Sequence, residues 1–299
     1  MPRGYRYLDP QAVARLSRIN LIARSVVEGF ISGLHRSPFH GFSVEFADHR
    51  EYTPGDNIKD IDWQAYGRTD RYIVKQYQEE TNLKAHVLLD TSGSMAYKSD
   101  ESGLSKLEYG SYLAASLAYL MVRQQDSVGL VSFDEKINNF IPPRSTTVHL
   151  NVLLKTLEDI RPGKVTNISR AFHDLAENIK RRGLIIIISD LFDEPRDVMR
   201  GLRHFRFKRH EVILFHIFDR WEIDFPFRRL TDFVDMETND EIQIDPRFVR
   251  EDYMQQIRGF IDAYKRECAG ASIEYVQTHT GVPFDLMLHS FLAKRKRLH

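Results

Sequence analysis

The sequence predicts an α/β protein built as a three-layer α/β/α, doubly wound, mainly parallel sheet, with an N-terminal helix and a small β-rich extension. Two observations carry this. From residue 83 onward, apolar runs of strand length alternate with segments of helical spacing, the pattern of βαβ units. Two of those runs, Leu83–Leu89 and Leu184–Ile188, stop abruptly at oxygen-bearing side chains, Asp90 and Ser189-Asp190. Such polar stops belong at the carboxyl ends of parallel strands, where open α/β sheets bind ligands.

Composition sets the frame. The 299 residues can bury a sizeable core. With 42% hydrophobic and 28% charged residues and a formal net charge of +0, no global field points to nucleic acid or to a membrane surface. The single cysteine, Cys268, excludes an internal disulfide and a Cys-based zinc cluster. No apolar run approaches the ~20 residues of a membrane helix. No signal-peptide core follows the N-terminus, so the expected location is cytoplasmic.

The predicted organisation is a block over 1–80, then a domain over 81–299 with a β insertion near 219–245. Apolar residues from Leu16 to Leu34 recur at helical spacing, predicting a helix over 10–34 whose Arg15, Arg18 and Arg24 read as a solvated face in preference to a basic face for a partner. Phe42, Val44 and Phe46 alternate with polar residues as in a strand, Pro54-Gly55 marks a turn, and 72–77 reads as a second strand. Asp56, Asp60 and Asp62 lack the spacing of an EF-hand and read as turn residues. Helices are predicted over 104–123, 148–160, 168–181, 195–207, 246–267 and 283–294. Strands are predicted over 127–133, 137–141, 184–188, 212–218 and 272–276, the second of them stopped by Pro142-Pro143. Segments 233–236 and 242–244 flank a turn and suit a hairpin.

After its apolar run the chain reads D-T-S-G-S-M, placing Asp90, Ser92 and Ser94 two residues apart. One carboxylate and two hydroxyls make a partial oxygen shell for a hard cation such as Mg2+. Asp190 ends another strand, which a doubly wound sheet makes the neighbour of the Asp90 strand at the topological switch point. Thr166 lies in the loop before a helix and could add a hydroxyl.

D-T-S-G-S-M, V-T-N-I-S-R-A and I-I-I-S-D together resemble the metal-ion-dependent adhesion site of von Willebrand factor A domains, over roughly residues 80–292. The resemblance implies a von Willebrand factor A or Rossmann-like fold. It further implies a divalent cation, usually Mg2+ with Mn2+ or Ca2+ as substitutes, at Asp90, Ser92, Ser94, Thr166 and Asp190, with one coordination position left for a partner's acidic group. The stretch R-E-Y-T-P-G-D-N-I-K-D-I-D-W, followed by Arg68-Thr69 and Glu79, resembles the bacterial "domain of unknown function fifty-eight" family. That family joins such a block to a von Willebrand factor A fold, and many members are encoded beside MoxR-type AAA+ ATPases. The implied function is non-enzymatic: an interaction module and adaptor for such an ATPase. Candidate rim segments are 97–105, 143–147, 192–195 and 219–227. Phe192, Trp221, Phe225 and Phe227 read either as partner anchors or as packing beneath the insertion.

The main rival is a metal-dependent phosphate-ester hydrolase using Asp90 and Asp190. Against it, the second Asp of an aspartyl phosphotransferase motif is replaced by Ser92, and the chain has no G-x-S-x-G elbow, H-E-x-x-H or P-loop. A third reading, electrostatic binding through Lys294-Arg295-Lys296-Arg297, rests on four charges in a neutral chain.

Overall fold

The computed structural model describes residues 19, 22–28, 45–53, 61–78, 83–163, 168–236 and 240–298. The chain divides into two compact units, residues 39–83 and residues 1–38 with 84–299. The sequence reading draws its division at 80/81.

In the larger unit, residues 22–28 are helical (α1), and Ile19, Ala23 and Val27 are buried at four-residue spacing, one face of a helix. The rest of the helix predicted over 10–34 lies outside the described residues. In the smaller unit, β1 (Glu45–Glu51) pairs antiparallel with β2 (Ile73–Gln78). Between them α2 (Trp63–Thr69) is capped by Asp62, which accepts from the Gln64 and Ala65 amides. That is the turn role expected for Asp62; Asp56 and Asp60 lie outside the described residues.

The six-stranded sheet has the order β10-β7-β6-β3-β4-β5. β3 (Lys84–Asp90), β4 (Ser127–Phe133), β6 (Leu184–Ser189), β7 (Glu211–Phe218) and β10 (Glu274–His279) run parallel, and β5 (Ile137–Arg144) is antiparallel to β4 at one edge. β3 is central and its two parallel neighbours are β4 and β6, so the chain reverses direction across the sheet at β3. β5 runs through Pro142-Pro143, where the sequence predicts its end. An edge strand pairs on one side only, and a proline there forfeits no ladder bond on its open side; the β4–β5 register slips between Val128 and Leu130, opposite the prolines.

Alternate residues of each buried strand serve different helical layers. Leu88, Ile187 and Leu214 belong to a core with α5 (Ile168–Asn178), α6 (Pro195–Phe207) and α8 (Pro246–Gly270), through Phe172, Leu175, Leu202, Phe205 and Tyr264. Leu89, Ile188 and Ile217 point the other way, onto α3 (Lys106–Arg123), where Gly110 lets helix and sheet approach so closely that a Cβ would lie 3.0 Å from both Leu89 Cδ1 and Ile188 Cγ2. α4 (Thr147–Asp159) and α9 (Phe284–Leu298) accompany α3. The result is an α/β molecule whose mainly parallel sheet lies between helices, a Rossmann-like layered fold. Between β7 and α8 lie α7 (Arg220–Asp224) and a hairpin of β8 (Thr231–Val234) and β9 (Glu241–Ile244). Among the described residues no helix is long and apolar enough to cross a membrane.

The basic C-terminal stretch is not uniformly free. Arg295 is 3% exposed and pairs with Glu211 and Glu274, tying α9 to the starts of β7 and β10. This removes one of the four charges on which electrostatic binding would rest. Cys268 is buried, and burial pushes its thiol up to about 12, so it stays a protonated packing residue.

Candidate metal centre

The chain turns out of β3 at Asp90 and into a short 3-10 turn, Gly93–Ala96. The Asp90 carboxylate is fully buried and held at both oxygens: Oδ1 accepts the Ser92 amide at 2.9 Å and Oδ2 the Ser189 hydroxyl at 2.5 Å. The hydroxyls of Ser92 and Ser94 stand 3.1 Å apart. Thr91 anchors the turn to β4, its amide and hydroxyl both donating to the Phe133 carbonyl, at 2.8 and 2.9 Å.

Asp190 follows β6 directly, beside the Asp90 strand. Its carbonyl accepts from His216 Nε2 at 2.8 Å, and His216 Nδ1 lies 2.8 Å from the Tyr275 hydroxyl. Leu191, fully buried, takes a left-handed conformation (φ 52°), and its amide donates to Ser189 Oγ. A non-glycine residue at positive φ is strained, and such strain gathers at functional turns.

The aspartates are brought together; Thr166 lies outside the described residues. The described residues flanking its loop are bonded nearby: the Gly163 amide donates to the Thr91 carbonyl at 2.5 Å and the Ile168 amide to Asp193 Oδ2 at 3.2 Å.

Sequence reasoning missed the cation already present. Lys106, at the first position of α3, is fully buried, with Nζ 2.7 Å from Asp190 Oδ2 and 2.6 Å from Glu222 Oε1. Its ammonium stands over the rings of Phe192 (4.7 Å to the centroid) and Tyr97 (5.9 Å). Burial opposes its charge, but Asp190 and Glu222 outweigh burial and hold its pKa above the ordinary lysine value. Burial also raises Glu222, against the pull of Lys106. The local hint is slight: Lys106 directly follows the N-cap Ser105, inside the Ser105–Glu108 capping box, and so faces the positive end of the helix dipole. A local rule broken in this way marks a functional or strained position.

Whether these residues suit a divalent ion turns on Asp90. Burial first, and then the charge of Asp190, push its carboxyl up to about 7, against the hydrogen bonds from Ser189 and Ser92. Lys106 reaches Asp190 and Glu222 and makes no bond to Asp90. Among the described residues no cation bonds Asp90, and the two hydroxyls beside it are the neutral oxygen donors a hard cation takes. Among the described residues no cluster of three or more His, Cys, Asp or Glu could hold a metal, so an ion would depend on these serines. The donor set fits Mg2+ as a partial shell.

Of the anticipated anchors, Phe192 is 41% exposed, Trp221 is half-buried and Phe225 is 5% exposed, stacked on Tyr253 at 4.4 Å between centroids. All three line one cavity of about 700 Å³ that also reaches Ser94.

Comparison with known proteins adds relatives at two levels. The uncharacterized proteins Mb1516 of Mycobacterium bovis and Rv1480 of Mycobacterium tuberculosis are each 25% identical over 294 residues, covering 97% of this chain and 91% of theirs. Among solved structures, the conserved hypothetical protein BatB from Bacteroides thetaiotaomicron aligns at 16% identity and a TM-score of 0.46, over 72% of this chain and 99% of that one. An aerotolerance-related membrane protein from Bacteroides fragilis aligns at 17% identity and 0.47, over 73% and 100%. A family model described as protein of unknown function DUF58 matches residues 48–259. By that match, which spans most of the sheet and the block before it, the chain belongs to the DUF58 family.

Proposed function

We propose that this protein is a non-enzymatic interaction module of von Willebrand factor A type. It binds a divalent cation, Mg2+ in the first instance, through Asp90, Ser92, Ser94, Thr166 and Asp190, and uses the ion to hold an acidic group of a protein partner. A MoxR-type AAA+ ATPase is the candidate partner, on the family resemblance alone. The observation that carries this reading is the buried Asp90 carboxylate, fixed at both oxygens beside two convergent hydroxyls and bonded to no cation among the described residues. An ion held by neutral hydroxyls keeps much of its Lewis acidity and favours an anionic ligand from outside.

The same burial speaks for binding over hydrolysis. An aspartyl nucleophile must reach its substrate, whereas Asp90 is 0% exposed. Ser94 is the more accessible member of the turn and the natural point of entry.

Calorimetric titration with Mg2+ and Mn2+ tests the ion. Wild type is expected to bind one equivalent and Ser92→Ala with Ser94→Ala to lose it, while all proteins keep the same circular dichroism. Binding of a purified MoxR-type ATPase in Mg2+ and not in EDTA tests the adaptor role. Metal binding unaffected by the serine changes refutes the site.

A further inference from the structure

The cavity beside Ser94 has a wall chemistry of its own. Tyr97, Phe192, Trp221, Phe227, Phe233 and Tyr253 line it, so its surface is aromatic on several sides. Its volume of about 700 Å³ is in the range of ligand-binding clefts, with room for a large side chain and the backbone that carries it. The Trp221 indole nitrogen is buried with no hydrogen-bond partner among the described residues. A buried donor without an acceptor costs free energy that an occupant carrying a carbonyl would recover. Of the carboxylates in the lining Glu222 is matched by Lys106, while Asp235 and Asp252 are exposed. They give that side of the cavity a negative potential that repels an acidic occupant and suits a basic one.

We infer that this cavity is a second subsite of the same binding surface, receiving a large apolar side chain of the partner within a residue or two of the acidic residue that meets the ion. The inference rests on the metal-dependent reading above for the acidic residue, and on the cavity alone for the apolar one. Ser94 is common to both, and an extended peptide advances about 3.3–3.6 Å per residue, so the two side chains sit close in sequence. The segment that fits reads acidic, then apolar, then neutral or basic. Its backbone carbonyl pairs with the Trp221 indole N–H and its apolar side chain lies among the rings.

The chain has two tryptophans, and the other, Trp63, is 57% exposed and belongs to the smaller unit. The indole N–H resonance of Trp221 therefore reports on the cavity, with Trp63 as internal reference. The probes are the capped peptides Glu-Gly-Phe-Lys, Glu-Gly-Ala-Lys and Gln-Gly-Phe-Lys, titrated into the full chain in Mg2+ and in EDTA. The Phe peptide with Glu is expected to bind about ten-fold tighter than its Ala counterpart and to shift Trp221 downfield while Trp63 stays in place. Val234→Asp changes a lining residue that is 47% exposed, so the fold tolerates it, and is expected to abolish the Phe advantage without touching Mg2+ binding. Phe-dependent binding that is equal in Mg2+ and EDTA, and equal for Glu and Gln, keeps the subsite and overturns the ion. Glu-dependent, Mg2+-requiring binding that is equal for Phe and Ala keeps the ion and overturns the subsite. A Trp221 shift that follows protein concentration with no peptide present assigns the cavity to a second copy of this chain and overturns the peptide, as does the absence of any response to millimolar peptide.

Discussion

Replacing Lys106 by methionine tests the charge balance on which the candidate centre stands. The substitution keeps the length and apolar stem of the side chain and removes the ammonium that lies 2.7 Å from Asp190 and 2.6 Å from Glu222. Asp190 is 1% exposed and Glu222 15%, so two carboxylates lose their counter-ion with little water to replace it. Breaking a buried pair by deleting one partner costs about 3–5 kcal/mol. In a domain of this size each kcal/mol moves the melting temperature by about 2–4 °C, so a fall of about 10 °C is expected in EDTA. Mg2+ should then restore more of the loss in the variant than it adds to wild type, because the vacated Asp190 oxygen opens to the ion. Saturation at one hundred times Kd is worth about 2.7 kcal/mol. Adding Glu222→Gln removes one of the stranded charges and should recover part of the loss, giving a measurable coupling. Differential scanning calorimetry in EDTA and in Mg2+ reads all of this. A variant melting within a degree or two of wild type refutes the compensated network. Equal Mg2+ shifts in both proteins refute competition between lysine and ion for Asp190.

Other perturbations follow from the same geometry. His86 is buried and held neutral, its pKa lowered to about 4 by burial and by His210. The unfolded chain takes up that proton near pH 6.5, so stability is complete above about 6.5 and falls by up to about 3 kcal/mol as pH drops towards 4; urea melts across that range should show it, and His86→Leu should flatten the slope. At Gly129 a Cβ would lie 2.5 Å from the Ile141 carbonyl, which is backbone, whereas at Gly110 it would meet only side-chain tips at 3.0 Å. Gly129→Ala should therefore cost about 1–3 kcal/mol and Gly110→Ala distinctly less, and equal losses in denaturant titrations would contradict the packing given for α3. Arg295→Met strands Glu211 and Glu274, each about a quarter exposed, and should lower stability by about 1–3 kcal/mol, whereas Lys294→Met should be neutral; the reverse order would return the basic stretch to a surface role.

The sequence made the outline of the site legible because its parts are local. An apolar run that ends in Asp90, Ser92 and Ser94 needs no distant partner to be noticed, and the same holds for Ser189-Asp190. Strand neighbours followed from alternation and from the topology of doubly wound sheets. Lys106 was not legible in this way. Its partners lie 84 and 116 residues along the chain, and a lysine at a helix start reads as solvated until the fold brings Asp190 and Glu222 to it. His216 was concealed by the opposite effect: within L-F-H-I-F it passes for strand filler, and its bond to the Asp190 carbonyl appears only when β6 and β7 are placed side by side. The prolines of β5 misled because their penalty depends on which side of the strand is paired, a property of the sheet and not of the residue.

The bonds of His216 also decide where a proton sits. A carbonyl can only accept, so the ring nitrogen facing Asp190 carries the hydrogen, and Nδ1 must take one from the Tyr275 hydroxyl. The imidazole is thereby locked in a single tautomer. The relay crosses three adjacent strands, from Tyr275 on β10 through His216 on β7 to the turn after β6. The edge strand β10 is thus tied, through two hydrogen bonds, to the backbone of the nearer of the two aspartates, so a change at Tyr275 reaches the centre without passing through the core side chains.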